Sequence, residues 1–454
     1  MIYDLIILGA GPAGYLAAER AGHAGKKVLL IEGRNLGGVC LNEGCVPSKT
    51  LLHSAKIYDY ARYSETYGIM TENVSFNHKK VIKRKENVIQ TLVGGIKAQL
   101  KKNRVEIVNA VGEIVGRCDE GFIVKAANKE YKGKKLLIAT GSESVIPTIP
   151  GVKEGIETGI ILTNREILNL HAIPESLVII GGGVIGLEMA SYYNSAGSDV
   201  TIVEMLDHIA GNTDRGISEI LMKNYEKKGI KFKLKTKVTA VHGHVIKCEK
   251  DSTIEEISAD KILLSIGRKP VVRGIGIENI GVEVENGKIL TDQYGRTNVL
   301  NVYAAGDVNG KLMLAHTAYR EAEVCINNML GQKDVMRYNA VSSVIYANPE
   351  VASVGETEET AKQKGIEYKT VSLTMNYSGR YVAENEKGDG ICKVLVDKKH
   401  NKLIGVHMIG SYASEIIYGA ALMIETEMRV KEIKEIVFPH PTVSEIIREG
   451  IFQI

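Results

Sequence analysis

The sequence predicts an α/β chain carrying two Rossmann-like dinucleotide-binding units. A glycine fingerprint occurs twice, Asp4 through Glu32 aligning without a gap on Ser176 through Glu204. In each copy a short apolar strand enters Gly-x-Gly-x-x-Gly, a helix follows, and a second apolar strand ends on Glu at the same distance from the first glycine. Two cysteines, Cys40 and Cys45, follow the first copy almost at once. At 454 residues the chain has material for two to four domains with cores of their own.

Each element of the repeat has a reason. Gly9 and Gly181 permit a tight turn, Gly11 and Gly183 let the backbone approach a pyrophosphate, and Gly14 and Gly186 let helix pack on strand. Glu32 and Glu204 stand where ribose hydroxyls need an acceptor. A lone fingerprint is weak in a chain with 47 glycines, but strand, helix and terminal acid recur together, so two dinucleotides are implied. The first unit is continuous with the cysteines, and a dithiol exchanges an electron pair with a flavin more readily than with nicotinamide, which assigns FAD there. The second unit then takes a nicotinamide dinucleotide. Glu204-Met205-Leu206-Asp207 offers no cation for a 2′-phosphate, which favours NAD over NADP.

The cysteine segment runs Gly37-Gly38-Val39-Cys40-Leu41-Asn42-Glu43-Gly44-Cys45-Val46-Pro47-Ser48-Lys49. Residues five apart on a regular helix point away from each other, so the sulfurs meet only if the backbone loops between them, for which Gly44 is suited. Pro47 favours a first helical turn, and Ser48 to Ala55 reads as helix, leaving Cys45 near a helix N-terminus where a thiolate is favoured. Lys49 adds a positive charge one turn on. Zinc ligation lacks a second cysteine or cysteine/histidine pair at finger-like spacing, and a structural disulfide does not suit a chain without a secretory signal. Cys118, Cys248, Cys325 and Cys392 are scattered singly and read as small buried hydrophobes.

Composition narrows the partners. With 57 basic against 54 acidic residues nothing points to nucleic acid or a membrane surface. The basic run from Lys79 to Lys85 lies on a segment whose apolar positions recur at helical spacing, and reads as a solvated helix face. The N-terminus enters a strand directly, without a signal-peptide pattern, which suggests a cytoplasmic protein.

At this point the residues resemble the pyridine nucleotide-disulfide oxidoreductases, most of all the members that oxidise dihydrolipoamide. Ala139-Thr140-Gly141 is similar to the family's turn out of the flavin domain, and Thr297 to Asp307 to its second flavin motif, with Asp307 on the ribityl chain. Leu314-Ala315-His316 resembles the segment along the flavin; His316 itself is as readily structural as a cofactor contact. Phe438-Pro439-His440-Pro441-Thr442-Val443-Ser444-Glu445 resembles the family's base motif. Its chemistry also stands alone: prolines hold His440, and a first-turn Glu445 can fix its tautomer, giving a base near neutrality. Many members carry histidine where Phe438 stands. The resemblance further implies that Glu188 pairs with Lys49 close to flavin N5.

The resemblance implies an FAD-binding domain over 1–145, an NAD-binding domain over 146–270 and a central segment over 271–338. An α+β dimerisation domain over 339–454 follows, in a homodimer. Gly267-Arg268-Lys269-Pro270 marks the return to the flavin domain, with Gly267 among the cofactor-binding residues, and Lys393–Asp397 and Leu403–Met408 read as a strand pair. The implied reaction is oxidation of protein-bound dihydrolipoamide through Cys40 and Cys45 with reduction of NAD. The partner is a lipoyl domain or lipoyl-carrier protein of a 2-oxoacid dehydrogenase or glycine-cleavage system. Glutathione reductase shares the relay but uses NADPH, against which the acidic ribose position argues. Mercuric reductase and the large thioredoxin reductases add a C-terminal redox pair, whereas the last cysteine here is Cys392. A purely structural subunit would not need Cys40, Cys45 and His440 together.

Overall fold

The computed structural model describes residues 1–385 and 388–454. They form two compact units, one of residues 1–50, 82–145 and 267–337, the other of residues 51–81, 146–266 and 338–454. These units are drawn differently from the expected domains, most of all at residues 51–81 and at the return near residue 270. Residues 51–81 group with the second unit because the cysteine helix does not stop at Ala55 but runs over Cys45–Arg62. Past Ala55, Asp59 accepts from Ser195 at 2.9 Å, Tyr67 donates to the Glu384 carbonyl at 2.9 Å and His78 bonds the Tyr192 hydroxyl at 2.9 Å. The return to the first unit comes at Gly267, because Arg268–Pro270 pairs antiparallel with Ser142–Ser144.

The first unit is built on a parallel sheet whose strands lie in the order Val302–Ala304, Leu136–Ile138, Leu5–Leu8, Val28–Glu32, Glu106–Asn109. All four residues of Leu5–Leu8 and all five of Val28–Glu32 are buried, and up to Glu32 they are apolar, as in strands covered on both faces. Helix Pro12–His23 carries proline in its first turn and buries Ala13, Ala17, Ala18 and Ala21, small residues that let it lie close on the sheet.

The second unit repeats the plan. Ile161–Leu162, Lys261–Leu264, Ser176–Ile180, Asp199–Val203 and Lys231–Lys233 form a parallel sheet in which the fingerprint strand is again central. In both units a three-stranded antiparallel meander, residues 113–133 and 237–258, precedes the strand that returns beside the fingerprint strand. The second unit also holds the C-terminal antiparallel sheet, where Ile391–Asp397 pairs with Leu403–Ile409 as the sequence predicts. Half-buried Lys393 ties this sheet to helix Arg215–Lys227, donating to Asp214 at 2.7 Å and Glu358 at 2.8 Å. Among the described residues no helix is long and apolar enough to cross a membrane.

Candidate active site: a dithiol, two glycine clamps and a histidine–glutamate pair

Cys40 and Cys45 sit on two helices, Gly38–Glu43 and Cys45–Arg62, separated by the single residue Gly44. A one-residue break, and not the open loop expected from the sequence, brings the sulfurs together. Asn42 braces the first helix by donating to the carbonyls of Leu36 and Gly38, at 3.1 and 2.9 Å. Both cysteines are present as thiols. The hydrogen bond to Cys45 holds the proton on Cys40, and this bond, with burial added and the Lys49 charge opposing, pushes the Cys40 thiol well up. Cys45 is the first residue of its helix, where free amides and the dipole favour a thiolate. Tyr15 and Tyr319 flank the pair: their hydroxyls hydrogen-bond and their rings meet edge-on at 6.0 Å. Burial raises both phenols, and the charges of both sulfurs add to it. No sequence signal marks either tyrosine.

The two fingerprints form matching clamps. Gly9 and Gly181 take φ of +96° and +106°, and a Cβ there would lie 2.3 Å from the Ala139 carbonyl and 2.5 Å from that of Ser265. At Gly14 and Gly186 a Cβ would strike the carbonyls of Gly9 and Gly181, at 1.8 and 2.3 Å, so only glycine lets helix meet turn. Gly11 and Gly183 are different: a Cβ on Gly183 would meet nothing within 4 Å, and on Gly11 only the Gly38 Cα at 3.9 Å. Both are helix N-caps without a side-chain cap, whereas Thr163 and Asp214 cap their helices with their side chains. Open space over uncapped amides fits a pyrophosphate. Glu32 accepts from the Ala10 amide at 2.6 Å and the Arg34 amide at 2.7 Å; Glu204 accepts from Gly182 at 2.7 Å and Leu206 at 2.8 Å. Each carboxylate thus pins its own glycine turn and keeps lone pairs for a ribose hydroxyl.

Around Asp307 the first unit carries a network that sequence reasoning missed. Ser142 donates to Asp307, and Arg268 donates to the Ser142 hydroxyl at 2.8 Å and its carbonyl at 2.7 Å. Thr140 donates to the Val271 carbonyl at 2.6 Å, and Gly141 accepts from the Val271 amide at 2.9 Å. Buried Glu321 accepts from the Gly306 amide at 2.6 Å and from Asn309 at 2.9 Å, holding the turn that presents Asp307. Ala315 opens a helix whose N-cap, Leu314, offers no side-chain cap, with exposed His316 in its first turn. Glu321→Ala should strand the Gly306 amide at a cost of about 1–3 kcal/mol. Thermal unfolding together with the flavin content of the purified chain checks this: both should fall, and an unchanged flavin content would mean that the turn does not depend on Glu321.

In the second unit His440 and Glu445 are brought together as a pair. The His440–Pro441 peptide is cis, and His440 Nδ1 lies 2.9 Å from Glu445 Oε1. The other Glu445 oxygen accepts from the Thr442 amide at 2.9 Å. Burial raises the Glu445 carboxyl, but the Thr442 amide and His440 outweigh it and hold it below the usual carboxylate range. An ionised Glu445 makes Nδ1 the donor, leaving Nε2 with its lone pair free to take a proton. The His440 side chain is 77% exposed. Glu188 is buried and accepts the Tyr346 amide at 3.1 Å. Gly267 takes φ of +120°, with open space where a Cβ would stand.

Residues 3–322 match the family described as pyridine nucleotide-disulphide oxidoreductase, and residues 341–451 match its dimerisation domain. A dihydrolipoyl dehydrogenase of Mycoplasma pneumoniae is 37% identical over 99% of this chain and 98% of its own length. The mitochondrial dihydrolipoyl dehydrogenase of Bos taurus is 38% identical, over 98% of this chain and 89% of its own. Among solved structures, LpdA from Mycobacterium tuberculosis superposes with a TM-score of 0.90 at 25% identity over 99% of both chains. The HOCl-induced flavoprotein disulfide reductase RclA from Escherichia coli superposes at 0.88 with 26% identity over 100% of both.

Proposed function

Because the chain belongs to the pyridine nucleotide-disulphide oxidoreductases, we propose that it oxidises dihydrolipoamide to lipoamide and reduces NAD. It does so as a cytoplasmic homodimer serving lipoyl groups carried by a 2-oxoacid dehydrogenase or glycine-cleavage system. The observation that carries this reading is a dithiol at a helix N-terminus directly after a dinucleotide clamp, in a chain that aligns over nearly its whole length with dihydrolipoyl dehydrogenases.

The dithiol cycles through its disulfide. His440 Nε2 accepts the proton of a substrate thiol, and the resulting thiolate attacks Cys40 Sγ; the Cys40–Cys45 bond breaks and Cys45 leaves as a thiolate. Its place at the helix end and the Lys49 charge suit it to leave. The second substrate thiol then displaces Cys40, which takes up a proton as lipoamide departs. Two electrons now rest on the dithiol, the state in which Cys40 keeps its proton against Cys45. The chemistry that bound FAD supplies is a two-electron relay from the dithiol to NAD. Gly11, Glu32, Thr140, Asp307 and Ala315 are the residues that would hold FAD, and Gly183 and Glu204 those that would hold NAD. Turnover with dihydrolipoamide plus NAD should exceed turnover with glutathione disulfide plus NADPH by about a hundredfold or more. The reverse ranking would overturn the reading in favour of a glutathione reductase-like enzyme.

A further inference from the structure

The loop after Glu204 carries an acid, Asp207, that is bonded to a histidine and to an arginine of the following helix. Ala210 donates its amide to the Gly182 carbonyl at 2.8 Å, and a Cβ on Gly182 would lie 3.2 Å from both Glu204 Oε2 and the Ile209 side chain. Residues 205–211 therefore fold back against the second glycine turn, beside the carboxylate that faces the ribose. In this loop Asp207 Oδ1 lies 2.7 Å from His208 Nδ1, and Asp207 Oδ2 accepts from Arg215 at 2.9 Å. His208 is further tied through Nε2 to the Gly211 carbonyl at 3.0 Å. Arg215 opens helix Arg215–Lys227, whose N-cap Asp214 is itself engaged by Lys393, so Arg215 has a fixed origin from which to reach the loop. Arg215 first and His208 second hold the Asp207 carboxyl below the usual range, and Asp207 in turn raises Arg215.

We propose that Asp207 is a specificity-determining residue: it occupies the Arg215 guanidinium and the His208 ring, beside the loop that follows Glu204, and so withholds from this chain a latent site for a 2′-phosphate. A phosphate on the ribose would meet the Asp207 carboxylate and find both partners taken, so discrimination against a phosphorylated dinucleotide comes from a repulsive element as well as from Glu204. The inference rests on the reading of the second clamp as an NAD site. Position 207 is the one to test, because Glu204 also pins Gly182 and Leu206 and its replacement would disturb the turn itself.

The experiment compares binding of adenosine 2′,5′-bisphosphate with that of 5′-AMP to the flavin-loaded protein by calorimetry, in the wild type and in Asp207→Asn. The wild type should prefer 5′-AMP. In Asp207→Asn the ratio of dissociation constants should move toward the bisphosphate by about tenfold, the scale of one released charge-assisted hydrogen bond. The shift should shrink with added salt. Adding Arg215→Ala and His208→Ala to Asp207→Asn should remove the gain. An unchanged ratio in Asp207→Asn, with the wild-type preference intact, overturns the proposal while leaving the NAD reading in place. A gain that survives loss of both side chains overturns the latent site. A wild type that binds the bisphosphate at least as well as 5′-AMP overturns the NAD reading itself.

Discussion

Cys45→Ser should lower turnover by more than about a thousandfold and abolish the long-wavelength thiolate-to-flavin absorption of the two-electron-reduced protein, with FAD still bound. The reason lies in how the pair divides one proton. Cys40 keeps it through its hydrogen bond to Cys45, while Cys45, at the head of its helix, is the sulfur whose anion the amides and dipole favour. Cys40→Ser should stop turnover as completely, because it removes the sulfur that the substrate attacks. It should nevertheless leave a Cys45 thiolate and a visible band. The two variants are thus alike in rate and opposite in spectrum. A band that survives in Cys45→Ser and vanishes in Cys40→Ser would exchange the roles of the two sulfurs.

His440→Gln should reduce kcat/KM for dihydrolipoamide by about 10²–10⁴-fold, the range for loss of a positioned general base. Glu445→Gln should cost less, since the ring remains but its tautomer is no longer fixed by a charge. The larger effect concerns which chain supplies the base. His440 is 77% exposed in the single chain and lies in the segment matching the dimerisation domain. The proposal to be tested is that His440 serves as base to the dithiol of a second copy. In a mixed dimer, one chain carries Cys40→Ser and the other His440→Gln. If the base acts in trans, one site collects both defects and the other is whole, so about half the wild-type rate should return. If it acts within its own chain each site has one defect, and a rate no higher than that of the parents would end the shared-site account.

What the sequence revealed and what it concealed divide along a physical line. The glycine fingerprints were legible because backbone geometry fixes their spacing: the turn needs a positive φ at Gly9 and Gly181, and the helix needs no Cβ at Gly14 and Gly186. His440 and Glu445 were legible because they are five residues apart, within reach through one turn. The strand pair near the C-terminus announced itself by composition. Arg268 and Ser142 are 126 residues apart, and no local pattern marks a bond over that separation. Glu321 is marked by no local pattern; only its burial against the Gly306 amide distinguishes it from other helix acids. The cysteine helix runs past Ala55 to Arg62, farther than the sequence expectation. Residues 56–62 stay helical through contacts such as those of Lys56 with Glu350 and Asp59 with Ser195. Arg215 lies eleven residues beyond Glu204, so the reading of a loop without cations was true of four residues and not of the folded neighbourhood.

The near-identity of the two clamps has a consequence for cofactor sorting. FAD and NAD share an adenosine diphosphate half, and each clamp meets that half with the same turn, the same uncapped helix and a glutamate bonded twenty-two residues back and two residues forward. Identical hardware facing an identical group has no power to tell one visitor from the other. The flavin and the nicotinamide must therefore be assigned to their seats by the unshared ends.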